Sequence, residues 1–314
     1  MAGEPLVEIV LEGGPRLGFG HAGRCLALWE ELEGRAVFRV QDAAVSGFLQ
    51  ARGAPVVAGG GHAPFVVLDR AAPVAPAEVR ALQDAGRSVA LIDDLGPARM
   101  QADVVIDPPT AALWPAASGL RLAGFEHVLL RREVRAAEPV LPLASGSGFG
   151  SAAGGGVLLA MGGSDPAGLT PGLAKALSAV GIDVAVALGP GYRGMFPTEG
   201  SVLASPDAFA GALAGAELLL AGYGHSLLEA AHLGVPAIAV VYRPEQLPHA
   251  RAFCAQGTAR MFDLTVRSRS REVAQAAAEL LAEPRLRAEM SARGRQLVDG
   301  LGARRVARAL MELA

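Results

Sequence analysis

The sequence predicts an α/β protein made of two doubly wound, parallel-sheet domains facing a cleft. Three observations carry that prediction. Short apolar runs alternate with segments of helical spacing along most of the chain, the signature of parallel strands covered on both faces. A strand, a glycine-rich turn and a helix occur in that order twice, beginning at Leu6 and again at Val157. A glycine- and serine-rich stretch separates the halves, and 314 residues suit two cores of ordinary size better than one.

The first unit runs from the apolar stretch Leu6 to Leu11 through Leu17-Gly18-Phe19-Gly20-His21-Ala22-Gly23-Arg24 into the amphipathic segment Cys25 to Leu32. Glycine admits positive φ and lets a backbone approach a ligand closely. A helix N-terminus offers unpaired N–H groups and partial positive charge, which suits phosphate. Gly18 and Gly20 therefore form either a tight turn or a ligand loop. His21 is either a cap or a base working near neutral pH, and the local sequence leaves both open.

Strands follow at Ala36–Val40, Pro64–Leu68, Ser88–Ile92 and Asp103–Ile106, with helices near Ala43–Arg52 and Pro76–Ala85. Three of the strands run into acids: Asp69, the pair Asp93-Asp94, and Asp107. In open parallel sheets ligands sit beyond the carboxyl ends of the strands, so these acids share one end of the sheet with His21. Each acid can equally cap a turn or a helix.

The pattern lapses between Ala136 and Gly156, where Ala144 to Gly156 has the composition of a flexible linker. The expected domains are 1–140 and 157–314, with 141–156 as the linker and the last helix a candidate to pack back on the first domain. The second domain opens with Val157 to Met161 and the turn Gly162-Gly163-Ser164-Asp165-Pro166. Gly162 and Gly163 can present N–H groups to a phosphate, while Asp165 and Pro166 fit N-cap and N1 of the helix that follows.

Strands are expected at Asp183–Leu188, Ser201–Ala204, Glu217–Ala221 and Ala237–Val241, with a helix from Asp207 to Ala214. Gly222-Tyr223-Gly224-His225-Ser226-Leu227-Leu228-Glu229 leads into a helix ending at Leu233 and Gly234. Ser226 and Glu229 have the spacing of a capping box. Helices at Gln246–Gln256, Arg271–Leu281, Pro284–Gln296 and Arg304–Leu313 close the chain as packing elements.

Composition narrows the functional classes. With 51% apolar residues the chain is not disordered, and a net charge of −3 gives no electrostatic case for nucleic acid. Cys25 and Cys254 lie in different halves inside apolar helical patterns and are expected as buried thiols. The remaining histidines, His62, His127, His225, His232 and His249, form no metal-ligand spacing, and neither metal nor cofactor is expected. Nothing resembles a signal peptide or an apolar span of ~18 residues. A cytoplasmic protein without membrane insertion, monomeric or weakly dimeric, is the expectation.

The ordered motifs Gly18-x-Gly20-His21-x-x-Arg24, Asp93-Asp94, Gly124 to Glu133, Met161 to Asp165, and Ser226-x-x-Glu229 with Gly234-Val235-Pro236 span nearly the whole chain. Together they resemble the UDP-2,4-diacetamido-2,4,6-trideoxy-β-L-altropyranose hydrolases of pseudaminic acid synthesis and the related spore-coat polysaccharide proteins. The resemblance implies the GT-B fold of the glycosyltransferase superfamily and a UDP-sugar substrate. It implies His21 as the base that activates water at the anomeric carbon, with release of UDP. Glu229 would hold the ribose hydroxyls, with Ser226 and Gly224 near the nucleoside or diphosphate and Gly163 and Ser164 near the sugar phosphate. Gly18, Gly20, Arg24, Asp94 and Gln246 would complete the substrate contacts.

The chain departs from that family's pattern at several positions. Val10 and Glu12 stand in place of an Arg-x-Asp pattern, and Arg70-Ala71-Ala72 where a tyrosine is usual. Glu245 replaces an asparagine, and His127 replaces a tyrosine. The resemblance thus implies a UDP-sugar enzyme with an altered sugar. The alternatives are a glycosyltransferase, in which His21 deprotonates an acceptor hydroxyl, and a nucleotide-sugar-binding relative without turnover.

Overall fold

The structure, a computed structural model, describes residues 5–14, 17–60, 63–107, 109–110, 116–138, 156–189, 191–194, 202–203 and 206–314. Most of the expected linker, residues 141–155, lies outside the described residues. The chain divides into two compact units: Met1–Arg131 together with Gly300–Ala314, and Arg132–Asp299.

The first unit holds six parallel strands in the order β2-β1-β3-β4-β5-β6. They are β1 (Val7–Leu11), β2 (Ala36–Arg39), β3 (Phe65–Asp69), β4 (Ser88–Ile92), β5 (Val104–Ile106) and β6 (Leu120–Leu122). Helices α1 (Gly20–Glu31), α2 (Ala43–Gln50) and α3 (Pro76–Asp84) make the crossovers. Strand β6 was not foreseen: Leu120 and Arg121 are exposed, so this edge strand lacks the apolar run that marks its neighbours. Beyond β2, Val56 makes an isolated parallel bridge to Phe38.

Alternation along β1 sends Val7, Ile9 and Leu11 into the core shared with Cys25, Leu26 and Leu28 of α1. Glu8 points to the other face and is fully buried. Its carboxylate is held by Arg39 Nε (2.5 Å) and by Arg87, which answers the cost of burying a charge inside a central strand.

After the second unit the chain returns as α11 (Gly302–Leu313). Ala303, Val306, Ala307 and Leu310 fall at helical spacing and enter the same core as α1. Gly302 is required at the start of this helix because a Cβ there would overlap the backbone carbonyl of Val128.

The second unit also holds six parallel strands, in the order β12-β11-β10-β7-β8-β9. These are β7 (Val157–Ala160), β8 (Val184–Ala187), β9 (Val202–Leu203), β10 (Leu218–Gly222), β11 (Ala237–Val241) and β12 (Ala259–Asp263). Reading outward from β7 on one side and β10 on the other, this is the order of a dinucleotide-type fold, whose switch point lies between those two strands. Helices α4 (Arg132–Ala136), α5 (Thr170–Ala179), α6 (Pro206–Ala214), α7 (His225–Leu233), α8 (Leu247–Cys254), α9 (Ser270–Ala282) and α10 (Pro284–Leu297) accompany the sheet. Strand β12 also escaped the sequence pattern, since Arg260 is exposed and Met261 to Asp263 are only half-buried.

Local corrections concern helix starts. Helix α5 begins at Thr170, not after Asp165. Asp165, at φ +43°, instead reaches forward and accepts from the N–H groups of Leu169 (3.0 Å) and Thr170 (2.9 Å). The capping box at Ser226 and Glu229 does not form, because α7 begins two residues earlier than it requires, with Gly224 as its N-cap. The helix does end as expected, with Gly234 left-handed at φ +71°. Cys25 is buried, but Cys254 is only partly so. Among the described residues no helix is long and apolar enough to cross a membrane.

The contact at Gly302 gives a test of α11 as part of the first core. Gly302→Ala is expected to lower the urea unfolding free energy of the full chain by about 1–3 kcal/mol, the usual cost of overpacking a tight contact. Gly211→Ala, where a Cβ meets nothing, is expected to leave it unchanged or raise it slightly.

Candidate active site

His21 occupies the first turn of α1, immediately beyond the β1–α1 loop, with Phe19 as N-cap and no side-chain cap bond. It is therefore not a cap. Its Nδ1 lies 2.6 Å from Oδ1 of Asp69, the last residue of β3. Strands β1 and β3 are neighbours, with Leu11 opposite Asp69, while β1 leads away to β2 on the other side. This is the switch point of the first sheet, where loops diverge and leave room for a ligand.

Asp69 is fully buried, and its two oxygens are shared among three side chains. Arg24 grips both, with Nε 2.7 Å from Oδ2 and Nη2 2.6 Å from Oδ1. The thiol of Cys25 donates to Oδ2 at 3.2 Å. Arg24 Nη1 also bonds Asp93. Three helical positions, 21, 24 and 25, meet one strand-end carboxylate because residues three and four apart share a helix face.

The charge states follow from this geometry. Burial opposes ionisation of Asp69, but Arg24 and then His21 overcome it and hold the carboxyl well below its ordinary value of 3.8. Burial likewise works against the Arg24 charge, and Asp69 and Asp93 reverse that and raise its pKa. Burial, reinforced by Asp69, pushes the Cys25 thiol well up, so it serves as a neutral donor.

An ionised carboxylate can only accept. His21 Nδ1 must therefore carry the proton, and the lone pair of the neutral ring resides on Nε2. The 3.5 Å approach of Arg24 Nη2 to Nδ1 is too long to count as a hydrogen bond. The His21 side chain is 23% exposed, so this orientation delivers a base to solvent-accessible space with its tautomer fixed from behind.

Asp93, at the end of β4, has φ +52°, a left-handed conformation that L residues adopt at some cost and that clusters at functional sites. Asp69 and Asp93 were not singled out as site residues from the sequence. The available signal was their shared position at strand ends, but which acid faces the histidine depends on strand order. Asp94, expected among the substrate contacts, is turned elsewhere. It is buried and accepts from the N–H groups of Val74 (2.7 Å) and Gly96 (2.6 Å), holding the turn after β4. Gly18 has φ +82° and pairs in both directions with Gly14 (3.1 and 2.7 Å), closing the loop before His21. Gly20 is the first residue of α1, and nothing lies near its absent Cβ.

In the second unit the expected residues lie on the segments that follow β7, β10 and β11. A Cβ on Gly222, at the end of β10, would come within 3.2 Å of the Tyr242 ring and 3.6 Å of Met161. Gly163 accepts from Gly191 N–H at 2.9 Å and packs so closely on Gly189 that a side chain there would overlap it. Ser164 follows, half-buried. Gly224 is exposed at the N-terminus of α7, Ser226 lies in the first turn, and Glu229 is buried one turn further on. Gln246, in the short 3-10 helix after β11, donates through Nε2 to the carbonyl of Tyr223 at 3.3 Å. Among the described residues its Oε1 is buried with no hydrogen-bond partner.

Two of the departures lie in ordinary structural roles. His127 Nδ1 donates to the carbonyl of Ala123 at 2.7 Å, and Glu245 makes an exposed 3.6 Å pair with Arg243. Among the described residues, no group of three or more His, Cys, Asp or Glu side chains is placed to hold a metal ion.

No protein-family model and no curated protein matches the sequence. Solved structures do match over the full length. MurG of Acinetobacter baumannii aligns at 15% identity over 98% of this chain and 100% of its own, with a TM-score of 0.67. The spinosyn forosaminyltransferase SpnP aligns at 14% over 99% of each chain, TM-score 0.68. Anabaena HepE, solved in complex with UDP-glucose, aligns at 12% over 98% of this chain and 100% of its own, TM-score 0.64. At these identities the likeness establishes the fold, which is of the GT-B type expected from the sequence.

The buried cluster has measurable consequences. Asp69→Ala is expected to cost ~3–5 kcal/mol of stability, because it removes a partner of a buried charge. His21→Ala, at the exposed end of the cluster, is expected to change the thermal midpoint little. Because the folded pKa of Asp69 is depressed, its contribution is present above about pH 4 and is lost as pH falls below it. Asp69→Asn should therefore be less stable at neutral pH and lose less stability than the parent between pH 4 and pH 2, as followed by circular dichroism.

Proposed function

We propose that the protein is a nucleotide-sugar-dependent glycosyltransferase with a UDP-sugar donor, in which His21 is the catalytic base. The observation that carries the proposal is the His21–Asp69 pair. A neutral imidazole, oriented by a buried ionised carboxylate, presents Nε2 at the switch point of a parallel sheet. Such a group removes a proton from a hydroxyl as that hydroxyl attacks an anomeric carbon, and the gain is greatest when the base works near its own pKa. Asp69 holds the ring in one tautomer and stabilises the imidazolium as it forms, the role of the carboxylate in a catalytic triad. Arg24 keeps Asp69 ionised and is a positioning residue.

The second unit would take the nucleotide. Gly224 and the first turn of α7 supply N–H groups suited to a diphosphate, and Gly163 and Ser164 lie on the neighbouring loop. Glu229 would accept from the ribose hydroxyls, and Gln246 Oε1 offers a buried acceptor. Donors at the helix start would stabilise charge on the departing diphosphate. The full-length likeness to transferases supports transfer to an acceptor hydroxyl over hydrolysis by water, which only the motif resemblance favours.

The test is UDP release from a panel of UDP-sugars, with and without candidate hydroxyl acceptors. Transfer predicts release that depends on acceptor, and His21→Ala should lower kcat by roughly 10²–10⁴-fold with UDP affinity kept. Glu229→Ala should instead weaken UDP binding. Release in water alone, with solvent oxygen on the sugar, would make the enzyme a UDP-sugar hydrolase. Absence of both UDP binding and turnover would sink the proposal.

A further inference from the structure

The proton that His21 takes in the proposed reaction leaves a cation on its ring, and the neighbouring groups differ in how they meet that charge. Asp69 carries one negative charge, but Arg24 already answers it through two hydrogen bonds. Cys25 stays a neutral thiol, because burial holds its pKa well up. With a neutral ring these four groups are balanced, and an imidazolium would leave them with one unmatched positive charge. An unmatched charge in a site largely closed to water is unfavourable.

Asp93 alters that balance. Arg24 is forked: Nε and Nη2 face Asp69, whereas Nη1 bonds Oδ2 of Asp93. Nη2 also stands 3.5 Å from His21 Nδ1, so the ring and the Asp93 carboxylate lie at two nitrogens of one guanidinium. Among the described residues Oδ1 of Asp93 accepts no hydrogen bond, and the side chain is 28% exposed. One guanidinium thus serves two carboxylates, and the second, when ionised, brings a negative charge in excess.

The fold keeps Asp93 in this place at some cost. Its N–H donates to the carbonyl of Ile106 at 3.0 Å, and its φ of +52° is left-handed. The turn after β4 does not need its side chain, since Asp94 accepts the N–H groups of Val74 and Gly96 there. Burial raises the pKa of Asp93 above its ordinary 3.8; Arg24 opposes that rise, Asp69 adds to it, and His21 opposes it. Coupling between two sites is reciprocal, so an ionised Asp93 favours the imidazolium in turn.

We propose that Asp93 is a positioning residue for His21: across Arg24, its carboxylate is the counter-charge against which the imidazolium forms, while Asp69 fixes the tautomer. With Asp93 ionised, the set of His21, Arg24, Cys25, Asp69 and Asp93 goes from one net negative charge to none as His21 takes its proton. Without it the set would go from none to one positive. Use of this charge in catalysis rests on the glycosyltransferase reading above; the coupling of the two side chains does not.

The test is an NMR pH titration of the His21 ring in the full chain, for the parent, Asp93→Asn and Asp93→Gly. Asparagine tolerates positive φ, and its amide oxygen can still accept from Arg24, so Asp93→Asn removes the charge and keeps the shape. The midpoint of His21 protonation should move to lower pH by about 0.5–1 pH unit, while the proton of the neutral ring stays on Nδ1. Asp93→Gly suits φ +52° and should show the same fall, which keeps the test open if the first variant does not fold. In acceptor-dependent UDP release, Asp93→Asn should lower kcat by about 3–10-fold with KM little changed. A midpoint that is unchanged or raised, or a proton displaced from Nδ1 in place of a shift, would overturn the proposal, and so would a lowered midpoint with kcat unchanged. A lowered midpoint in a protein whose parent releases no UDP with any acceptor would leave the coupling standing and overturn only the transferase reading.

Discussion

The first unit is arranged around one buried carboxylate. Asp69 sits at the end of a central strand, out of contact with water, and would be protonated there without compensation. Arg24 supplies that compensation through two hydrogen bonds, and the resulting ionised carboxylate fixes the ring of His21. Each member needs the others: without Asp69 the arginine would keep Asp93 but lose two of its hydrogen bonds, and the histidine would have no fixed tautomer. Cys25 adds a weak donor and fills the remaining space as a small apolar group. Stability and the orientation of His21 are therefore coupled at this point, and a substitution at Asp69 bears on both.

The two sheets use the same physical device for different ends. In each, the chain leaves a central strand, passes a glycine-rich turn and enters a helix at the point where strand order reverses. In the first unit that turn delivers His21, held from behind by Asp69 of a neighbouring strand. In the second it delivers backbone: Gly163, Gly222 and Gly224 place no side chain on the segments that follow β7 and β10, and Asp165, Glu229 and Gln246 are buried polar residues of the segments after β7, β10 and β11.

Of the departures from the family pattern, Val10, Glu12 and Arg70 line one cavity beyond the ends of β1 and β2, although sixty residues separate the outer two in the chain. Glu12 accepts from the N–H of Ala71, the residue after Arg70. His127 serves a backbone carbonyl and Glu245 an exposed ion pair.

The sequence by itself determined the α/β class, the two repeats of strand, glycine turn and helix, most strand positions, and the prominence of His21. These are local properties, set by apolar periodicity and by the backbone freedom of glycine, and they survive without knowledge of neighbours. It missed β6 and β12 because edge strands bury too little to need an apolar pattern. It placed Ser226 as a cap and Asp165 as an N-cap because spacing cannot say which residue starts a helix. Only tertiary structure decided the company of His21. Asp69, Asp93, Asp94 and Asp107 are equivalent strand-end acids in the sequence; strand order put Asp69 beside β1 and against α1, turned Asp94 into the following loop, and left Asp107 with Arg99 and Arg121. Partner choice across a parallel sheet depends on which strands lie side by side, and that is not written in any single stretch of chain.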